Sequence, residues 1–69
     1  MMIKKSDINN CICGSTASII IEKFKESNYT VDGIRIKCDR CNNKNPSGPY
    51  YPGREESLIK EWYEFINRI

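Results

Sequence analysis

The chain contains no histidine in its 69 residues, which removes the commonest general base. No glycine-rich phosphate loop is present, and Ser15, Thr16 and Ser18 have no partnered base. Long hydrophobic runs are missing too. The longest aliphatic stretch is Ile19-Ile20-Ile21, far short of the ~20 apolar residues that cross a bilayer. The opening MMIKKSDINN has two lysines but no apolar core of a signal peptide. Repeats and low-complexity segments are absent. These absences lead to the expectation of a cytoplasmic, non-enzymatic chain with no membrane partner.

Against this background the four cysteines stand out. A chain of 69 residues makes one small domain. Ordering it costs about 1.5 kcal/mol per residue, which apolar burial at this size barely offsets, so a covalent or metal staple is expected. The cysteines come in two close pairs, Cys11-Ile12-Cys13-Gly14-Ser15 and Cys38-Asp39-Arg40-Cys41. In a reducing compartment disulfides rarely persist, and paired cysteines read as metal ligands. The expectation is one structural Zn²⁺ held by the thiolates of Cys11, Cys13, Cys38 and Cys41 at about 2.3 Å. Four thiolates close the coordination shell, whereas catalytic zinc needs an open position.

The second pair has the C-x-x-C spacing of a zinc knuckle, with Asn42 after it as a residue that tolerates positive φ. The first pair is one residue shorter. Gly14 stands where a knuckle needs φ > 0, but the bite is tighter and a more labile ligand is expected there.

The rest of the chain predicts a small α+β zinc ribbon, with residues 1–10 as a flexible N-terminus and 11–69 as a single four-cysteine domain. The run from Ala17 to Phe24 reads as a strand (about 17–24), and Ile34-Arg35-Ile36-Lys37-Cys38 alternates as a half-buried second strand (about 33–38). Asp32-Gly33 and Ser27-Asn28 are both turn signals, and a long loop between the strands is expected. Asn42 to Pro49 reads as loop. The antiparallel sheet is expected to have two or three strands, the optional third being a short one at Tyr50-Tyr51 (about 49–51) before Pro52-Gly53.

The ending, REESLIKEWYEFINRI, predicts an amphipathic helix over about 54–68. Leu58, Trp62, Phe65, Ile66 and Ile69 form its apolar stripe, widened by Ile59 and Tyr63. Glu55 and Glu56 suit its first turn and Arg68 its last, with Glu56–Lys60 and Glu64–Arg68 as i,i+4 pairs. Trp62 is expected to pack this helix onto the sheet.

The formal charge is +2, and four thiolates with one Zn²⁺ bring it to about zero. Arg35, Lys37, Arg40 and Lys44 nevertheless cluster around the second knuckle. They read either as the solvated face of a strand or as contacts to phosphate or an acidic partner. Of Tyr50 and Tyr51, one is expected inward and the other outward, where it could stack on a base or anchor a protein contact.

In order, C-x-C-G-S, a strand, I-x-C-x-x-C, Gly-Pro-aromatic and an acidic helix with a tryptophan resemble the Lar-type restriction-alleviation proteins of phages and prophages. The residues concerned are Cys11, Cys13, Gly14, Ser15, Ile36, Cys38, Cys41, Gly48, Pro49, Tyr50, Glu55, Glu56, Leu58, Ile59 and Trp62. This chain has C-I-C-G where that family has C-P-x-C-G, a longer loop from Cys41 to Gly48, and Tyr63 at a position that tends to be asparagine. The resemblance implies a phage-encoded zinc protein in the host cytoplasm. It would relieve type I restriction through the restriction–modification complex, or inhibit another host defence on the same scaffold. IRIKCDRC is also similar to the phage translational activators of the Com type, which makes nucleic acid the alternative partner. C-x-C with a distant C-D-x-C is similar to the zinc centre of the redox-regulated holdase chaperones, which makes a thiol redox switch a further alternative.

Overall fold

The computed structural model describes residues 8–68. Ala17–Glu26 forms strand β1, Tyr29–Cys38 forms β2 and Glu55–Ile66 forms helix α1. The strands pair antiparallel from Ala17 opposite Cys38 to Glu26 opposite Tyr29. They are joined by a two-residue turn, Ser27-Asn28, with the positive φ on Ser27 (53°).

The hairpin is therefore longer than expected, and its closure corrects the long loop. Lys25, Glu26, Tyr29 and Thr30 continue the ladder as a solvated tip. Asp32-Gly33 is not a turn. Gly33 lies within β2 because a Cβ there would stand 2.6 Å and 2.8 Å from ring carbons of Phe24 and 2.9 Å from Pro49 Cβ. The glycine makes room for the ring that crosses it.

One face of the hairpin carries Ala17, Ile19, Ile34, Ile36 and Cys38, alternate residues brought together by the register. Helix α1 lies against the knuckle half of this face and buries Leu58 and Trp62 completely. Ile8 and Cys11 complete that core, and Phe65 leans on Trp62 with ring centroids 5.7 Å apart. Trp62 Nε1 donates to the carbonyl of Asn9 at 2.8 Å. Positions 8 and 9 of the stretch expected to be flexible are thus docked: Ile8 is buried and Asn9 is tied to the helix. The remainder of that stretch up to position 7 lies outside the described residues, as does Ile69 of the apolar stripe.

The helix is shorter than 54–68. It stops at Ile66, where Asn67 bonds back to the Tyr63 carbonyl through both N (3.2 Å) and Nδ2 (2.8 Å). Arg68 thus falls beyond the last turn. Tyr63 is 52% exposed and does not widen the buried stripe. Among the described residues the ion pair is Arg35–Glu22, at 2.8 Å, rather than the expected pairs along the helix.

The loop after the second knuckle runs along the outer edge of β2. Cys38 N donates to the Asn43 carbonyl (2.9 Å), Asn45 N to the Ile36 carbonyl (3.1 Å), and Ile34 and Tyr50 exchange both bonds at 2.8 Å. The expected third strand is reduced to this single bridge at Tyr50, with a second between Lys37 and Lys44. Pro46 and Pro49, with no N–H to donate, flank the gap between the paired positions. Among the described residues, no helix is long and apolar enough to cross a membrane.

Candidate metal centre

The first cysteine pair lies in a tight turn just before β1. Cys11 N donates to the Ser15 carbonyl at 2.8 Å and Gly14 N to the Cys11 carbonyl at 2.9 Å. Gly14 takes φ 91°, the conformation its position demanded. The second pair begins on the last residue of β2. There Asp39 N donates to the Thr16 carbonyl at 2.9 Å, and the Asp39 carboxylate accepts from Thr16 (2.5 Å) and Ser18 (2.7 Å). These bonds clip the second knuckle to the start of β1. Asn42 does not take positive φ, since the chain after Cys41 turns directly into the β2 edge bond at Asn43.

The antiparallel register, Ala17 opposite Cys38, brings the two turns together at one end of the hairpin. The sulfurs of Cys11, Cys13, Cys38 and Cys41 all lie within 4.8 Å of one another. Across the knuckles, Cys11 and Cys41 are 3.5 Å apart and Cys13 and Cys38 are 3.4 Å apart. Four sulfurs about 2.3 Å from one ion define a tetrahedron with edges of about 3.8 Å, and the cluster is close to that size. Each expected metal ligand is thus in the group. Cys11 and Cys38 are buried, whereas Cys13, from the shortened pair, is exposed.

The surroundings favour thiolates. Cys38 Sγ accepts backbone N–H groups from Arg40 and Cys41, each at 3.3 Å. Asn43 Nδ2 donates to Cys11 Sγ at 3.2 Å. Burial opposes ionisation of Cys38, but the two backbone donors overcome it and hold this thiol at about 6. Cys11 is lowered as well: burial opposes ionisation, and donors from Cys13 and Asn43 outweigh it. Cys41 goes the other way, despite a favourable backbone bond near Asn43. The neighbouring sulfur of Cys38, together with burial, pushes it up to about 12. Thiolates crowded this closely repel one another, and a divalent cation among them removes that repulsion. The donor set of four soft sulfurs around one point, with N–H groups aimed at them, fits one Zn²⁺. The chain is a small zinc-binding α+β domain.

The basic side chains fall into two groups. Arg35 is taken up by the fold: it pairs with Glu22 and donates through Nε (3.2 Å) and Nη2 (2.9 Å) to the Asn45 carbonyl. Lys37 and Lys44 are bridge partners, so their side chains share the sheet face away from α1. Arg40 is exposed beside the second knuckle. Tyr50 faces inward, its hydroxyl donating to Glu61 Oε1 at 2.6 Å. Tyr51 is 47% exposed and meets Phe24 edge-on, with centroids 5.4 Å apart. Its hydroxyl is bonded to Glu26, which together with burial raises it to about 12.

Two residues, one supporting the centre and one bracing the loop beside it, gave no sign in the sequence beyond their place in an asparagine-rich loop. One is Asn43. The other is Asn45, fully buried, whose Oδ1 accepts Ile36 N (3.0 Å) and whose Nδ2 donates to Gly48 O (2.7 Å) and Glu61 Oε2 (2.9 Å).

In comparisons with known proteins, no family model, curated protein or solved structure matches this chain.

Proposed function

We propose that this chain is a phage-type zinc protein that acts in the host cytoplasm by docking on a host protein, with relief of type I restriction as its effect. The observation that carries the non-enzymatic part is the closed shell of four sulfurs, which offers a substrate no open position on the metal. The zinc then serves as the clamp of a rigid platform. The contact residues are Arg40 and the Lys37–Lys44 pair toward the knuckle end and the exposed ring of Tyr51, beside Phe24, toward the hairpin tip. Arg35 is withdrawn from this set because its guanidinium is already shared between Glu22 and Asn45. The assignment of restriction as the target rests on the resemblance of the cysteine, Gly-Pro-Tyr and helix motifs.

The test is the plating efficiency of unmodified phage on cells carrying a type I restriction system, with and without the expressed chain. It is paired with affinity capture of the zinc-loaded chain from the same cells. Restored plating and co-capture of the restriction complex are expected. Unchanged plating with no restriction subunit captured would overturn the reading. Nucleic acid as the partner would instead appear as binding of a labelled oligonucleotide that falls steeply between two salt concentrations.

A further inference from the structure

The two edges of the hairpin are treated differently. On β2, Ile34 uses both backbone groups on Tyr50, and Ile36 uses both on Asn45. Ile34 faces Ile21 and Ile36 faces Ile19 across the hairpin. In an antiparallel ladder these are the non-bonded pairs, so the N–H and C=O groups of Ile19 and Ile21 point away from β2. Ala17, Lys23 and Lys25 share this orientation through the same alternation. Nothing among the described residues pairs with that edge. Ile21 also exposes 65% of its surface there, because α1 packs mainly over β2.

We infer that the β1 edge pairs with β1 of a second copy of this chain, around a two-fold axis beside Ile20, to make a continuous four-stranded sheet. The occupant follows from the side-chain pattern. A two-fold axis perpendicular to the sheet keeps every residue on its own face, so it must pass beside one residue of the strand. Beside Glu22 or Lys23 it sets a charge against its own copy. Beside Phe24 it sets Lys23 against Lys25 and Glu22 against Glu26. Like charges directly opposed are unfavourable. Beside Ile21 it sets Ile19 against Lys23.

Beside Ile20, Ile20 meets Ile20, Ile19 meets Ile21 twice, Ser18 meets Glu22 and Ala17 meets Lys23. The three isoleucines face one another, and no like charges are opposed. The outward-bonding residues Lys23 and Lys25 guard the tip half of the edge against open-ended pairing, while the isoleucine half is left unguarded. Four strands also suit a sheet better than two, which are marginal alone.

The test uses the full zinc-loaded chain. Sedimentation across a concentration series is expected to reach twice the chain mass and no further. In a parallel hydrogen-exchange series, the amides of Ile19 and Ile21 should gain protection with concentration, while that of Ile20, already bonded to β2, should not. Ile21→Lys should return the protein to monomer with an unchanged circular dichroism spectrum. If that variant loses its fold, the exchange series on the unaltered chain decides alone. A monomer at every concentration, a mass that keeps growing, or a dimer whose Ile19 and Ile21 amides stay unprotected would each overturn the proposal. So would a dimer indifferent to Ile21→Lys in a folded variant.

Discussion

At Gly33 the residue is chosen by space. The Phe24 ring lies across it, and an added methyl would stand 2.6 Å and 2.8 Å from ring carbons and 2.9 Å from Pro49 Cβ. Gly33→Ala should therefore cost about 1–3 kcal/mol from overpacking, more than the 0.5–1 kcal/mol that alanine recovers in regular structure. Urea unfolding of the zinc-loaded protein measures the balance, and a stabilised variant would contradict it. The dipeptide Asp32-Gly33 reads as a turn because glycine permits a turn and a close approach equally, and only the tertiary position of Phe24 separates the two. Glu61 is another residue whose role depends on distant partners. Burial opposes its ionisation, but donors from Ser47, Tyr50 and Asn45 outweigh this and hold the carboxyl below its ordinary value. A lowered folded pKa contributes stability that is fully present above the unfolded value, about 4.3, and is lost as pH falls through the folded one. Glu61→Gln should thus be less stable than the parent at neutral pH, and the gap should close in acid. Taking the difference between two zinc-saturated proteins cancels the acid loss common to both, and a gap that stays constant with pH would show that the charge contributes nothing.

At the scale of elements, the hairpin and helix were legible because their hydrophobic periods are clear. Ile34, Ile36 and Cys38 alternate, and Leu58 and Trp62 repeat at helical spacing. What was not legible was where each element ends. The polar tip from Lys25 to Thr30 has no apolar alternation, yet cross-strand pairing carries the ladder through to Glu26 opposite Tyr29. The helix stops at Ile66 because Asn67 takes the Tyr63 carbonyl twice, a local bond that the apolar stripe does not encode. Of the two or three strands expected, two form, because Asn45 satisfies the β2 edge partly through its side chain, so the loop need not run as a regular strand. Docking of the helix depends on few side chains, which sets up a sharp expectation. Trp62 is wholly buried and also holds Asn9 through Nε1. Trp62→Ala should cost about 3–5 kcal/mol, and Trp62→Phe less, mainly the hydrogen bond at about 0.5–1.5 kcal/mol. Thermal unfolding of both variants ranks the two contributions. Equal losses would mean that the bond to Asn9, rather than packing, dominates.

For the whole molecule, one metal held by Cys11, Cys13, Cys38 and Cys41 would tie the turn before β1 to the end of β2. The four-cysteine cluster was readable from spacing, since two close cysteine pairs have few other uses where disulfides do not persist. The supporting donors were not, because an asparagine that hydrogen-bonds to sulfur looks in sequence like any loop asparagine. Without the ion, the buried apolar side chains among the described residues are Ile8, Ala17, Ile34, Ile36, Leu58 and Trp62 besides two of the cysteines, and a lone two-stranded hairpin is marginal in water. The lowered Cys11 and Cys38 thiols would also sit against the raised Cys41 with no cation between them. Folding and metal binding should therefore be a single equilibrium, with about 10–16 kcal/mol supplied by the ion at neutral pH. Cys41→Ser should lose most of that and be largely unfolded. Chelation of the unaltered chain should abolish its cooperative thermal transition and expose Trp62, seen as a red shift of its fluorescence, and stoichiometric zinc should restore both. Because Trp62 lies in the core that the centre adjoins, the fluorescence reports whether the helix stays docked when the metal goes. A chelated chain that keeps a cooperative transition and a blue-shifted tryptophan would mean that the apolar core suffices, and that the four sulfurs are held together by the fold rather than the fold by them.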